Sequence, residues 1–282
     1  MGRILLRHAN TTLNMNCIDL IKELDYQSNS KRREIIIGRL KELGVQYRTQ
    51  EYTTGTNLIV DLGTGDKKIG LSSHFDRVPE APGANDNGSA IAVCLDIIEQ
   101  FREKRDQEIA LRIFFFDEEE SGLRGSSAYT KEYGIKDIAG LINLELVGIG
   151  DKFAIWPVDL SSSGDLLETF EHSANAAKVE AIRFDKIVTN TADHVSFRKA
   201  GLSDAFTITC ISDKDIEVAA QYYKATEQGL DPTFLWGILA KAPVFKNYHQ
   251  PGDSYEKIKE NSILITSSVI LDTIVAMGRK GS

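Results

Sequence analysis

Between residues 14 and 43 apolar side chains recur mostly at three- and four-residue steps: Ile18, Leu20, Ile21 and Leu24, then Ile35, Ile36, Leu40 and Leu43. That is the period of a helix with one buried face. The polar run Ser28-Asn29-Ser30 predicts a break into two helices, and Gly44 a C-terminal stop. Residues 45–52 and 56–62 then read as strands, the second alternating around Leu58 and Val60. Gly63-Thr64-Gly65-Asp66 predicts a hairpin-type turn into a strand over 68–74.

Beyond it, 89–105 reads as a helix burying Leu95, Ile97 and Ile98, and 109–116 as a strand buried on both faces, apolar except for Arg112. Further helices are predicted over 126–133, 165–177, 195–200, 216–227, 232–240 and 258–278, and strands over 141–147, 153–157 and 205–211. Strands alternate with helices and no linker divides the chain. The expectation is one three-layer α/β/α domain over 1–282 with a mixed, mostly parallel sheet. Residues 213–247 would form a helical lid inserted into it.

Composition narrows the class. A net charge of −8 argues against nucleic acid and anionic membranes. Cys17, Cys94 and Cys210 are odd in number, far apart and in apolar settings, so they read as packing residues. The opening segment has too short an apolar run for a signal peptide, and no stretch approaches a transmembrane span. The chain as written is therefore expected in the cytoplasm; a leader already removed would place it outside. Oligomeric state is not readable from the sequence.

Candidate chemistry gathers at strand ends, where α/β sheets build their sites. His74 and Asp76 sit two apart after an apolar run, hence on one face if that run is a strand. An imidazole and a carboxylate so placed can be a metal ligand and the group that orients it. Asp86 lies in a turn-rich segment, Gly83-Ala84-Asn85-Asp86-Asn87-Gly88-Ser89, that opens a helix, where a carboxylate is stabilised. Asp117-Glu118-Glu119-Glu120 ends the next strand, Glu145 a third, and His249 lies in a turn before the last helix. In a chain of five histidines, two of them converging with several carboxylates and no thiolate form a zinc-type ligand set.

These motifs, in order, resemble those of the co-catalytic two-zinc aminopeptidases, the zinc-exopeptidase family that also includes glutamate carboxypeptidase and glutaminyl cyclase. They are His-x-Asp (74–76), Gly-Ala-Asn-Asp-Asn-Gly-Ser (83–89), Glu-Glu-x-Gly-Leu-x-Gly-Ser (119–126), Asn-Leu-Glu (143–145) and Tyr-His-x-Pro-x-Asp (248–253), and they cover roughly residues 55–275. The resemblance implies two divalent metal ions, zinc by preference, bridged by Asp86, with His74 and Glu145 completing one site and Glu120 and His249 the other. It implies Glu119 as general base, Asp76 orienting His74, and a cis peptide after Asp86. Asp193 and His194 match a family Ser-Asp-His segment beside the pocket, as substrate-side or supporting residues, and Asp253 would support the His249 loop. The usual Asp is Glu145 here, which puts the coordination details in question. The chemistry fits independently: two ions about 3.5–4 Å apart need a bridging carboxylate and water, and a nearby carboxylate passes the proton to the leaving amine.

The expected partner is a peptide substrate, and the expected reaction is release of N-terminal residues. The rivals are glutaminyl cyclisation, carboxypeptidase or dipeptidase specificity, and a binding domain without activity. Plainer readings stand beside several residues. Asp193-His194 could cap the following helix. Asp117 reads as a solvated acidic turn, His172 as a helix-surface residue, and His8 as part of a mobile terminus. Phe114-Phe115-Phe116 reads as core. Tyr222, Phe234, Leu235 and Trp236 read as helix packing or as the wall of a side-chain pocket.

Overall fold

Ser28 is a helix start as well as a break. Its hydroxyl accepts the Lys31 N–H at 3.2 Å, so α1 (Cys17–Leu24) and α2 (Asn29–Glu42) are separate helices. The computed structural model describes residues 16–102, 110–187 and 191–281; His8 lies outside them.

The strands are β1 (Arg48–Glu51), β2 (Thr56–Leu62), β3 (Lys68–His74), β4 (Ala110–Phe116), β5 (Ile138–Leu144), β6 (Lys152–Trp156), β7 (Ala181–Arg183) and β8 (Ala205–Ile211). They form one eight-stranded sheet in the order β1-β2-β4-β3-β5-β8-β6-β7. The central run β4-β3-β5-β8 is parallel, while β1-β2, β2-β4 and β6-β8 pair antiparallel. The hairpin expected at 63–66 is therefore corrected: β4 lies between β2 and β3. A glycine-rich turn fixes a reversal locally, but not which strand fills the space beside it. The three-residue edge strand β7 carries too little pattern to have been foreseen.

Period-two alternation divides β4 between two cores. Leu111, Ile113 and Phe115 face the larger one, with α1, α3 (Ser89–Arg102), α5 (Asp165–Ala176) and α9 (Glu260–Gly281). Phe114 and Phe116 face the smaller one, with Tyr129 of α4 (Arg124–Tyr133) and Phe197 of α6 (His194–Lys199). Arg112, the polar exception, is held by Asp61 at 2.5 and 2.8 Å and by Asp137 at 2.7 Å. Cys17, Cys94 and Cys210 are buried free thiols. Among the described residues one helix, Glu260–Arg279, is long and apolar enough to cross a membrane, contrary to the sequence expectation. Half of that window is buried within the fold, where α9 packs on α3 and α5. Helices α7 (Asp213–Glu227) and α8 (Pro232–Leu239) pack on each other away from the sheet's main cores.

Candidate active site

The parallel order β4-β3-β5 sets three strand ends side by side. His74 closes β3; Glu119 and Glu120 follow β4, and Glu145 directly follows β5. Asp86 comes from the turn that opens α3. Asp253 ties that turn down by accepting the N–H groups of Asn85 at 2.8 Å and Asp86 at 3.1 Å. The peptide after Asp86 is cis.

The Asp86 carboxylate stands between two imidazoles. Its Oδ1 is 3.2 Å from His74 Nε2, which is also 3.3 Å from Glu145 Oε2. Its Oδ2 is 3.3 Å from His249 Nε2, which is also 3.0 Å from Glu120 Oε2. One buried carboxylate thus serves two groups, each an imidazole with a glutamate. Asp76 does two jobs. Its Oδ1 lies 3.3 Å from His74 Nδ1 and its carbonyl oxygen 3.0 Å from the same nitrogen. Its carboxylate also accepts the backbone N–H groups of Glu119 and Glu120, each at 3.0 Å. That holds the turn after β4, where Glu118 takes a positive φ of 55°. Glu118 leaves the site and turns to Thr54 and Arg124. Tyr248 stacks on His249 with ring centroids 3.7 Å apart.

The electrostatics follow from crowding charge into a dry place. Burial opposes charge on His74, but Glu145, Glu119, Asp76 and Asp86 together raise its pKa well above the usual value. Burial likewise opposes charge on His249, yet Asp86 and Glu120 push it up to about 10. Burial would raise Asp86, but the two imidazoles overcome it and hold it below the carboxylate range. Burial raises Glu119 strongly, and Glu120 and Glu145 as well.

The residues present fit a metal centre. Asp86 Oδ2, Glu120 Oε1 and His249 Nε2 are buried with no hydrogen-bond partner. His74, Asp86 and Glu120 each offer a donor atom, all within 4.8 Å of one another. Nitrogen and carboxylate donors without thiolate suit zinc or a similar divalent ion.

Sequence reasoning missed the clamp on Glu145. Asn143 donates to Glu145 Oε1 at 3.0 Å, and Asn87 donates to Oε2 at 2.9 Å. Ser72 donates to Asn143 Oδ1 at 2.6 Å, and Thr207 Oγ1 links the Asn143 amide to His194 Nδ1 at 3.2 and 2.7 Å. The signal was available: Asn143 stands two residues before Glu145, the same spacing that singled out His74 and Asp76. His194 is buried behind Trp156, and burial, with Arg198, lowers its pKa to about 3. Asp193 is buried without a hydrogen-bond partner at either oxygen, so it makes no side-chain cap, and burial pushes it up to about 7. Neither residue is among those lining the cavity at the site, which instead includes their neighbours Thr191 and Ala192. Arg32, fully buried on α2, donates to the Gly83 carbonyl at 3.2 Å. Nothing in the helix pattern marked it. His172 is exposed on α5, as read, whereas Asp117 is not the solvated turn residue expected: it is buried and accepts the Thr56 N–H at 3.1 Å.

The cavity beside this centre has a volume of about 730 Å³. Trp156, Thr209 and Ile211 from the sheet form one wall, and residues of α7, α8 and the 242–249 segment form the other.

A mixed α/β sheet carrying an imidazole–carboxylate centre at its strand ends defines a zinc-exopeptidase fold. The chain belongs to peptidase family M28, which matches residues 57–274. It is 28% identical over 253 residues to a probable lipoprotein aminopeptidase, LpqL, of Mycobacterium tuberculosis, covering 83% of this chain and 50% of that one. It is 30% identical over 211 residues to aminopeptidase YwaD of Bacillus subtilis, covering 71% and 40%. The chain thus spans about half the length of these relatives. Among solved structures it resembles a glutaminyl cyclase of Porphyromonas gingivalis with a TM-score of 0.69 at 18% identity, covering 93% of this chain and 97% of that one. These structural likenesses describe the fold alone.

Proposed function

We propose that this protein is a zinc-dependent aminopeptidase that binds two metal ions and releases N-terminal residues from peptides. The observation that carries the reading is Asp86, whose two oxygens face two separate imidazole–glutamate pairs. His74, Asp86 and Glu145 would hold one ion, and Glu120, Asp86 and His249 the other. Bound there, the ions would supply positive charge that polarises a peptide carbonyl and makes water acidic enough to attack it.

The remaining work belongs to the side chains. Glu119 lines the cavity without pairing to either imidazole, so its carboxylate stands where it can take the proton of the attacking water and return it to the leaving amine. Its burial suits that task, since a raised pKa brings the proton's two owners closer together. Asp76 fixes the His74 ring and the Glu119–Glu120 backbone at once. Asp253 secures the turn that presents Asp86. Helices α7 and α8 act as a cap over the cavity within a single domain.

Metal analysis of the purified protein, joined to amino-acid release from a panel of peptides, tests the reading. Two metal equivalents with release of N-terminal residues support it; full activity at one equivalent overturns the count. Cyclisation is the competing reading, drawn from the glutaminyl cyclase fold likeness. Imidazoles at both oxygens of Asp86 favour hydrolysis. Ammonia release from an N-terminal glutaminyl peptide, with no amino acid freed from a leucyl peptide, would reverse the choice.

A further inference from the structure

We propose that the enzyme's substrates are peptides whose first two residues both carry large apolar side chains, held together in the cavity beside the metal centre. This rests on the aminopeptidase reading and goes beyond it in naming the substrate class. The first argument is size. About 730 Å³ is the room of roughly two dozen water molecules, and it falls in the range that accommodates a drug-sized ligand. That volume includes the space over the centre itself, lined by His74, Asp86, Glu119, Glu145 and His249, and a single leucyl or phenylalanyl side chain would still leave much of the rest wet. Two adjacent bulky side chains displace far more of that water, and each buried side chain adds to binding.

The second argument is charge. Away from the metal centre, the one carboxylate among the described lining residues is Asp215, and it is already engaged. Its Oδ1 accepts the Val244 N–H at 2.9 Å, and its Oδ2 accepts the Ser212 N–H at 2.8 Å and hydroxyl at 2.5 Å. No lysine or arginine is among those residues. A second charged group carried to the inner end of the cavity would lie unpaired against the buried Trp156, Ile211 and Leu239, at a desolvation cost nothing there offsets. The peptide's free amine therefore stays at the acidic end, and the deep part takes uncharged groups.

The third argument separates a peptide from a plain hydrocarbon chain. Thr209 accepts the Trp156 indole N–H at 3.0 Å and keeps its own hydroxyl hydrogen to donate. Tyr222 and Tyr248 bring two more hydroxyl-bearing side chains into the wall. A peptide has carbonyls along its length to use such donors, whereas the hydrocarbon tail of an acyl chain has none.

The cavity carries its own reporter, because both tryptophans of the chain, Trp156 and Trp236, line it. The test compares the zinc-loaded enzyme on Leu-Leu-Gly, Leu-Gly-Gly and N-decanoyl-leucine, and titrates tryptophan emission of the EDTA-treated protein with Leu-Leu-Gly and Gly-Gly-Gly. The expected result is a kcat/KM at least about tenfold higher for Leu-Leu-Gly than for Leu-Gly-Gly, with a saturable blue shift from Leu-Leu-Gly alone. Leu235→Asn, on the half-buried wall of α8, should pull that ratio toward one. A ratio within twofold, or no emission change, overturns the proposal. So does faster hydrolysis of N-decanoyl-leucine than of either peptide, which would assign the cavity to an acyl chain. A blue shift without hydrolysis of any peptide leaves the cavity assignment supported and removes the aminopeptidase reading.

Discussion

Glu118, Glu119 and Glu120 are chemically identical and differ only in where the backbone sends them. The sequence alone leaves the register open by one; the family pattern, aligned on Gly122, Gly125 and Ser126, assigns the base to Glu119 and the ligand to Glu120, and the structure shows what pins the turn. A Cβ at Gly125 would collide with the Asp117 carbonyl and the Asn57 side chain, so the turn cannot slide along the chain. Glu119→Gln keeps size and polarity but cannot accept a proton. Its kcat should fall at least about 10²-fold with metal content unchanged, measured by steady-state kinetics and metal analysis. Glu118→Gln, directed at Thr54 and Arg124, should retain most activity; a dead Glu118→Gln with metals retained would move the base by one residue.

Glu145 was the departure that sequence could not interpret, because reach depends on what holds the side chain. The structure answers with two amides, from Asn143 and Asn87, one on each oxygen. Removing such support from a metal ligand typically costs 10- to 100-fold in affinity. Asn143→Ala should weaken zinc binding by about that factor, read by competition with a chelator of known affinity. Unchanged affinity would mean that Glu145 is not a ligand or that Asn143 does not hold it.

At the scale of elements, the turn over 83–88 closes on itself only at its ends, the Gly88 N–H donating to the Gly83 carbonyl at 3.0 Å, and Asp253 ties its middle down from across the chain. Asp253→Asn keeps the shape but turns one acceptor into a donor facing backbone N–H groups. Leaving a buried donor unmet costs about 1–3 kcal/mol, so melting temperature and zinc affinity should fall together. A loss of melting temperature alone would detach Asp253 from the site. Helix and strand positions were legible because burial periodicity writes them into the sequence. The order of β2, β4 and β3 was not, since the turn at 63–66 reads the same whichever neighbour its strands take. Asp193 and His194 show the same limit: the family resemblance marked them, but only the packing of Trp156 sets His194 behind the wall.

For the molecule as a whole, His194 couples stability to pH. Its folded pKa of about 3 lies below the ordinary value of 6.5, so the unfolded chain binds the extra proton between them. Stability from this group is full above about pH 6.5 and is lost as pH falls toward 3. Chemical denaturation at stepped pH should show the slope, and His194→Gln should flatten it by up to one proton per chain; an unchanged slope would remove His194 from the acid response. Metal removal acts in the same direction at neutral pH. A ligand at one hundred times its Kd stabilises by about 2.7 kcal/mol, so EDTA should lower the melting temperature and zinc restore it. No change in melting temperature on chelation would count against a metal centre built into the fold.

The sheet order has a consequence during synthesis. The residues that converge on Asp86 run from His74 to His249, and the last of them follows every strand and the helices that wall the cavity. A growing chain carries His74, Asp86, Glu120 and Glu145 long before it carries the imidazole that faces Asp86 from the other side. A chain cut between Glu145 and His249 would keep one imidazole–glutamate pair on Asp86 and lack the other, so on the proposed reading it would hold half a centre.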